Sequence, residues 1–299
     1  MRGSSPDSLT GFVNLAKPAD MTSSDAVCIV RGVLSRIIGG KQKTGHMGTL
    51  DPLAEGVLPV ALGKATRLFD VLAFKTKQYT AEFTFGKATD TLDRGGKVLS
   101  EGGRIPTADE IKSILPRFTG EIEQIPPAYS AKSVDGKRAY AYARQGIEPP
   151  LAPKRVTVNS IVLTGGNDGV FTFGIECGGG TYIRALARDI AQALGTTAYM
   201  SKLTRTRSGV FTLADAVSVD AFRAAPEKYI LPAEFALCDM PEIVLNRQDA
   251  ERILNGVPVR PATAAEVRDG EYCRVYAEGS GLLGVGHIAK DGLRLKVRL

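Results

Sequence analysis

Residues 45–58 read Gly-His-Met-Gly-Thr-Leu-Asp-Pro-Leu-Ala-Glu-Gly-Val-Leu. Gly45 and Gly48 permit backbone geometries closed to other residues and let a ligand approach the chain closely. Asp51 precedes Pro52, which lacks an N–H and biases Asp51 toward an extended conformation. The apolar run from Gly56 to Leu62 predicts a strand. A carboxylate on a glycine-lined loop just ahead of a strand suits a nucleophile or a base. An aspartate before proline is more usually an Asx-turn or a helix cap. On these residues alone both readings stand.

Working outward, Gly11 to Leu15 predicts a first strand, stopped by Lys17-Pro18. Thr22-Ser23-Ser24-Asp25 offers N-cap residues for a helix carrying Val27, Val30, Leu34 and Ile37, ended by Gly39-Gly40. Beyond the central stretch, Ala65 to Phe74 reads as a helix. Tyr79, Ala81, Phe83 and Phe85 alternate with polar residues, the pattern of a half-buried strand. Thr107 caps a helix with Asp109 and Glu110 in its first turn, where the dipole favours acids.

Pro126-Pro127 opens a long excursion to Pro153, with a short helix predicted over Ala139 to Arg144. Strands follow at Val156 to Leu163 and Val170 to Glu176. Gly178-Gly179-Gly180 then leads into a helix from Tyr182 to Leu194, with Ile183, Leu186, Ile190 and Leu194 on its buried face. After about Pro232, short strand-like runs at Tyr272 to Tyr276, Leu282 to Ile288 and Leu293 to Leu299 alternate with glycines and charged turns. Strands and helices mix irregularly, so the fold class is α+β. The expected organisation is a flexible extension over 1–10, a large domain over 11–235 with an insertion at about 124–153, and a small β-rich domain over 240–299.

Composition narrows the chemistry. His46 and His287 are the only histidines, and Cys28, Cys177, Cys238 and Cys273 form no C-x-x-C pair, so no local zinc motif exists. The cysteines read as small buried hydrophobes in a reducing compartment. There is no Walker A pattern, dinucleotide fingerprint or G-x-S-x-G elbow, which leaves carboxylates, hydroxyls and cations. A net charge of +6, from 38 Lys and Arg against 32 Asp and Glu, suits a polyanionic partner. With no apolar run long enough for a bilayer or a secretory signal, a cytoplasmic location and no membrane partner are expected.

Six strings in order are similar to one family. GHMGTLDPLAEGVLPVALGKAT (45–66) resembles the signature of the bacterial tRNA pseudouridine-55 synthases (TruB). The others are KPADMTSSDAV (17–27), KQYTAEFTFGKATDTLDRGG (77–96), QIPPAYSAKSVDGKRAYAYARQGIE (124–148), GGGTYIRALARDIAQALG (178–195) and LTRTRSGVF (203–211). Together they span most of residues 11–211. The resemblance implies a pseudouridine-synthase-type mixed, largely antiparallel sheet flanked by helices, with a small C-terminal β-barrel-like (PUA-like) domain. It implies isomerisation of the T-loop uridine at position 55 by base flipping, with no cofactor and no metal. The expected partner is the T-arm stem-loop of tRNA, bound by a monomer without guide RNA.

Site residues carry over only where they match. By resemblance, Asp51 is the catalytic carboxylate, which attacks uracil C6 or ribose C1′ or promotes elimination to a glycal. An aspartate is ionised at neutral pH and needs no activating base. Tyr79 matches the active-site tyrosine that lies against the base and can remove the final proton; on pattern alone it is a core tyrosine beside Phe83. Arg184 matches the partner of the carboxylate, and its planar fork suits that task; on pattern alone it is an exposed helix arginine. Tyr182 and Leu203 match pocket residues, and His46 matches a histidine that stacks within the opened T-loop. Lys17 reads as a pocket or phosphate contact, or simply as an exposed lysine.

Lys132, Lys137 and Arg138, with Tyr140, Tyr142 and Arg144, make the excursion basic and aromatic, suited to phosphate contacts and stacking. In the family this insertion grips the T-arm; composition alone allows a plain amphipathic loop. Asp20-Met21 stands where the family usually has glycine, and Ser133 follows Lys132 where relatives place the lysine one position later. A tRNA-binding folding chaperone on the same scaffold is the rival reading.

Overall fold

The computed structural model describes residues 9–72, 76–130, 149–261, 267–268 and 270–299, together with scattered positions within 133–147. The strands in chain order are β1 (Gly11–Lys17), β2 (Thr44–His46), β3 (Glu55–Leu62), β4 (Lys77–Phe85), β5 (Ala88–Thr89), β6 (Val98–Ser100), β7 (Gly120–Gln124), β8 (Ser133–Val134) and β9 (Lys137–Arg138). They continue with β10 (Lys154–Asn167), β11 (Val170–Cys177), β12 (Ala198–Ser208), β13 (Phe211–Thr212), β14 (Val217–Ser218), β15 (Glu242–Leu245), β16 (Tyr272–Ala277), β17 (Gly281–Ala289) and β18 (Gly292–Arg298). The large sheet runs β14-β1-β3-β12-β4-β11-β10-β7, with β2 on β3 and β13 on β12. Among the described residues, only β1/β14 and β3/β12 pair in parallel within it. The sheet is mixed and largely antiparallel, as the resemblance implies.

Two of the helices that cover one face of this sheet position the site. Ser23–Ile37 starts with a capping box: Thr22 accepts from the Asp25 amide while the Asp25 carboxylate accepts from the Thr22 amide. Val27, Val30 and Leu34 bury against Val13, Leu15, Leu58 and Val60, while Ile37 is exposed. The helix Ile183–Ala193 lays Ile183, Leu186 and Ile190 onto the same core, with Phe83 and Phe173 stacked 4.6 Å apart beneath.

The opposite face of β1 and β3 is covered as well, by Leu68, Leu237, Val285 and Val297 against Phe12, Val57 and Ala61. Burial on both faces is why β3 is a continuous apolar run and not an alternating one. The last two of those covering residues come from a second sheet, ordered β15-β16-β17-β18, so the small β-rich unit is seated against the large one.

Residues 65–72, the described part of the helix expected over Ala65 to Phe74, depart from it. The segment is a 3-10 helix, Gly63–Leu68, followed by a single α-helical turn, Phe69–Leu72. Ala65, Leu68 and Val71 recur every three residues and all bury, a spacing that the three-residue turn eclipses onto one side. In the excursion, β8 and β9 pair as a hairpin. Most of the helix expected over Ala139 to Arg144 lies outside the described residues, as does Lys132. No helix among the described residues is long and apolar enough to cross a membrane.

Candidate active site

The loop between β2 and β3 carries Asp51, and four separated elements hold it. Ser23, at the start of the first helix, accepts from the Leu50 amide at 2.9 Å and donates to the Leu50 carbonyl at 2.8 Å. Lys17, at the end of β1, donates to the Pro52 carbonyl at 3.2 Å. Arg205, on β12, donates to the Gly48 carbonyl at 3.0 Å and the Val57 carbonyl at 2.7 Å. The fourth anchor is Arg184, on the helix after the Gly178–Gly180 turn. Gly56 is obligatory here: its φ is +105°, and a Cβ would sit 2.3 Å from the Arg205 carbonyl oxygen.

Arg184 grips Asp51 with both prongs of its fork, Nε to Oδ2 at 2.9 Å and Nη2 to Oδ1 at 3.1 Å. The pair is asymmetric. The arginine side chain is 7% exposed and the carboxylate 32% exposed, so the acid faces the cleft and the cation backs it. Arg184 also donates to the Thr91 and Tyr129 carbonyls, each at 3.0 Å, and approaches the buried Asp93 at 3.5 Å. Its rotamer is thereby fixed from three directions, and the reading of an exposed helix arginine fails.

Around this pair lies a cleft of about 790 Å³, lined among others by Asp51, Tyr79, Tyr182, Arg184, Leu203 and Arg205. That is the scale of small-molecule pockets. Tyr79 and Leu203 wall it from neighbouring strands, since Ala81 of β4 registers with Leu203 and Tyr79 with Arg205. Burial pushes the Tyr79 phenol above its ordinary pKa, with the Arg205 guanidinium working against it. Tyr182 is the N-cap of its helix, and its backbone is held on both sides by the Gln124 amide, at 3.0 and 3.3 Å. Burial pushes its phenol up as well. Phe69, 44% exposed, stands among the lining residues.

His46 does not line the cleft. It lies on β2, half-buried, with its pKa lowered by burial and by Arg205. Lys137 and Arg138 occupy β9, 7 and 8 residues after Ser130 of the cleft wall.

Lys17 requires a correction. It is 1% exposed, neither a surface lysine nor a phosphate contact. All three of its N–H donors are spent on the carbonyls of Pro18, Met21 and Pro52, at 2.8, 2.6 and 3.2 Å. Burial lowers its pKa to about 8, against the pull of Asp20 and Asp51. Lys17→Met should cost about 2 kcal/mol of unfolding free energy by leaving three carbonyls unsatisfied, with RNA affinity unchanged. Urea denaturation and a filter-binding titration check the two halves.

Asp20 explains the glycine usual at its position: its φ is +62°, the left-handed region. The carboxylate is turned to Arg94 at 3.0 Å. Two residues of the site carry no role in the sequence reading although they lie inside its strings. Asp93 sits in TDTLDRGG, and Arg205 shares a strand face with apolar Leu203. A charged residue at a core-facing strand position is the signal for the latter. Among the described residues, no group of three or more His, Cys, Asp or Glu could hold a metal ion.

A buried arginine fork presenting one carboxylate into an aromatic-walled cleft, at the middle of a mixed sheet, makes a concave site of the kind enzymes use. The sequence comparisons say which. Residues 36–183 match the TruB family pseudouridylate synthase N-terminal domain, 184–238 the tRNA pseudouridylate synthase B C-terminal domain, and 241–298 the pseudouridine synthase II TruB C-terminal domain. The tRNA pseudouridine synthase B of Caulobacter sp. (strain K31) is 41% identical over 256 residues, covering 84% of this chain and 81% of that protein. That of Geobacillus thermodenitrificans is 39% identical over 303 aligned residues, covering 95% and 97%. The chain belongs to the TruB family of pseudouridylate synthases. Among solved structures, the one described as a Cbf5-Nop10-Gar1 complex superposes with a TM-score of 0.71 at 26% identity, covering 97% of this chain and 84% of that one.

Proposed function

We propose that this enzyme converts the T-loop uridine of tRNA, position 55, to pseudouridine, working alone and without a cofactor. The observation that carries the reading is the meeting of Asp51, Arg184 and Tyr79 in one cleft. The relatives at about 40% identity are named for tRNA, which favours a free-standing tRNA enzyme over a component of a guide-RNA particle.

A uridine within a folded T-loop is out of reach until it is flipped from its stack. The cleft then receives the base between aromatic walls, where stacking contributes about 1–3 kcal/mol per base. Asp51 is the nucleophile. Its carboxylate, aimed by Arg184, serves attack at uracil C6, attack at ribose C1′ or elimination to a glycal. The detached base turns and rejoins the sugar through C5, and Tyr79 takes the C5 proton.

The test is release of tritium from uridine labelled at C5 in a T-arm transcript. Pseudouridine formation expels that hydrogen. Tight binding with no release would instead support a chaperone on this scaffold, and no binding would end both readings. The excursion supplies the grip on the RNA backbone in this proposal. Charge reversal at Lys137 and Arg138 should weaken binding and lower the salt-dependence slope by about 2, one for each lost phosphate contact. Affinity measured across a salt series checks this.

A further inference from the structure

Arg205 is 1% exposed, yet no carboxylate among the described residues lies within ion-pairing distance of its guanidinium. Its donors go to main-chain carbonyls instead: Val57 at 2.7 Å, Gly48 at 3.0 Å and Thr49 at 3.5 Å. A buried cation without an anionic partner is unfavourable unless dipoles surround it. An apolar side chain at this position, beside Leu203, would fill the core without that penalty. The charge therefore calls for a use.

Two features supply one. Gly48 and Thr49 are the residues that lead into Asp51, so the guanidinium braces the nucleophile's own loop from below. Arg205 is also the direct cross-strand partner of Tyr79 between β12 and β4, which places the two side chains side by side on one sheet face. The groups acting on the Tyr79 phenol from the surrounding elements are Arg205 on β12, Cys177 on β11 and Asp51 on the loop. Cys177 is pushed up to about 11 by burial and stays neutral near pH 7. Lys77 lies two residues before Tyr79 and lines the same cleft. The strongest charge acting on the phenol is the Arg205 guanidinium.

We propose that Arg205 is a positioning residue for the isomerisation: it braces the Gly48–Thr49 backbone so that Asp51 keeps its bearing, and it holds a fixed positive charge against the Tyr79 hydroxyl. The inference rests on the proposed reaction, with Tyr79 as the proton acceptor. Removal of the C5 proton returns its electron pair to the ring and restores the C5–C6 double bond; the proton goes to the phenolate oxygen. N1, freed from the ribose, gains a proton from water, and the hydroxide left behind takes the proton back from Tyr79, so the phenolate is restored and the product is an isomer of the substrate. A neighbouring guanidinium favours the phenolate and so extends the pH range in which Tyr79 can act.

The experiment compares Arg205→Gln and Arg205→Lys with the unaltered chain in single-turnover tritium release across pH, alongside RNA affinity and thermal melting. The glutamine variant should bind RNA as tightly, react at least about tenfold more slowly at neutral pH, and have the rising limb of its pH profile displaced upward by about one unit. The lysine variant, with the charge but not the fork, should return the limb to its original position while the rate stays low. A folded glutamine variant with an unmoved profile overturns the inference. Should glutamine unfold the protein, the lysine variant carries the test, and a full wild-type rate from it overturns the brace. Absence of tritium release from the unaltered chain would overturn the proposed reaction itself, a separate outcome.

Discussion

Asp51→Asn should bind a T-arm transcript as the unaltered chain does and release no measurable tritium, a loss of roughly 10⁴-fold or more, the scale seen when a nucleophile is removed. The substitution is nearly isosteric. The neutral amide keeps one oxygen to accept from Arg184, whose other contacts, to the Thr91 and Tyr129 carbonyls, are unchanged. The loop also keeps its anchors at Ser23, Lys17 and Arg205. Only nucleophilicity is lost, so a change in rate without a change in affinity is the expected signature. Turnover by this variant would remove Asp51 from the chemistry.

The second large effect is expected at Arg184, and it combines stability with activity. Arg184→Met removes the cation between two carboxylates, one facing the cleft and one, Asp93, buried. Breaking a buried ion pair from one side costs about 3–5 kcal/mol, mostly from the charge left behind. Turnover should fall by roughly 10²-fold or more, because the unheld carboxylate swings from its line of attack. Asp93→Asn placed in the Arg184→Met background should recover a large part of the stability and none of the activity. Urea unfolding and single-turnover rates on the two variants separate these effects. An Arg184→Met protein as stable as the unaltered chain would contradict the geometry around Asp93.

How much of this was legible beforehand depends on which forces set each feature. The strand from Tyr79 to Phe85 and the helices capped by Thr22 and Thr107 follow from local pattern, and they stand where the pattern places them. The segment after Gly63 does not, because its backbone answers to the groove behind β1 and β3 and not to helical propensity. Asp51, Tyr79 and Arg184 are visible through family strings, not through physics: before proline an aspartate is most often a turn former, and nothing local says that Arg184 is buried. Lys17 shows the same limit from the other side. A lysine beside a proline reads as solvated, and only the folded chain reveals three carbonyls converging on its ammonium. Asp93 and Arg205 matter through partners about 90 and 150 residues away in the chain, distances at which pattern carries no information.

The parallel contact between β3 and β12 registers just two residue pairs, Thr204 with Glu55 and Arg205 with Gly56. Contacts of such long sequence separation close late, since the entropy of the intervening loop must be overcome first. Arg184, on the helix after β11, and Arg205, on β12, are both synthesised after most strands of the large sheet. A nascent or half-unfolded chain can therefore present basic segments before the Asp51–Arg184 pair and the cleft around it exist, and in the proposed mechanism reactivity switches on only with complete assembly.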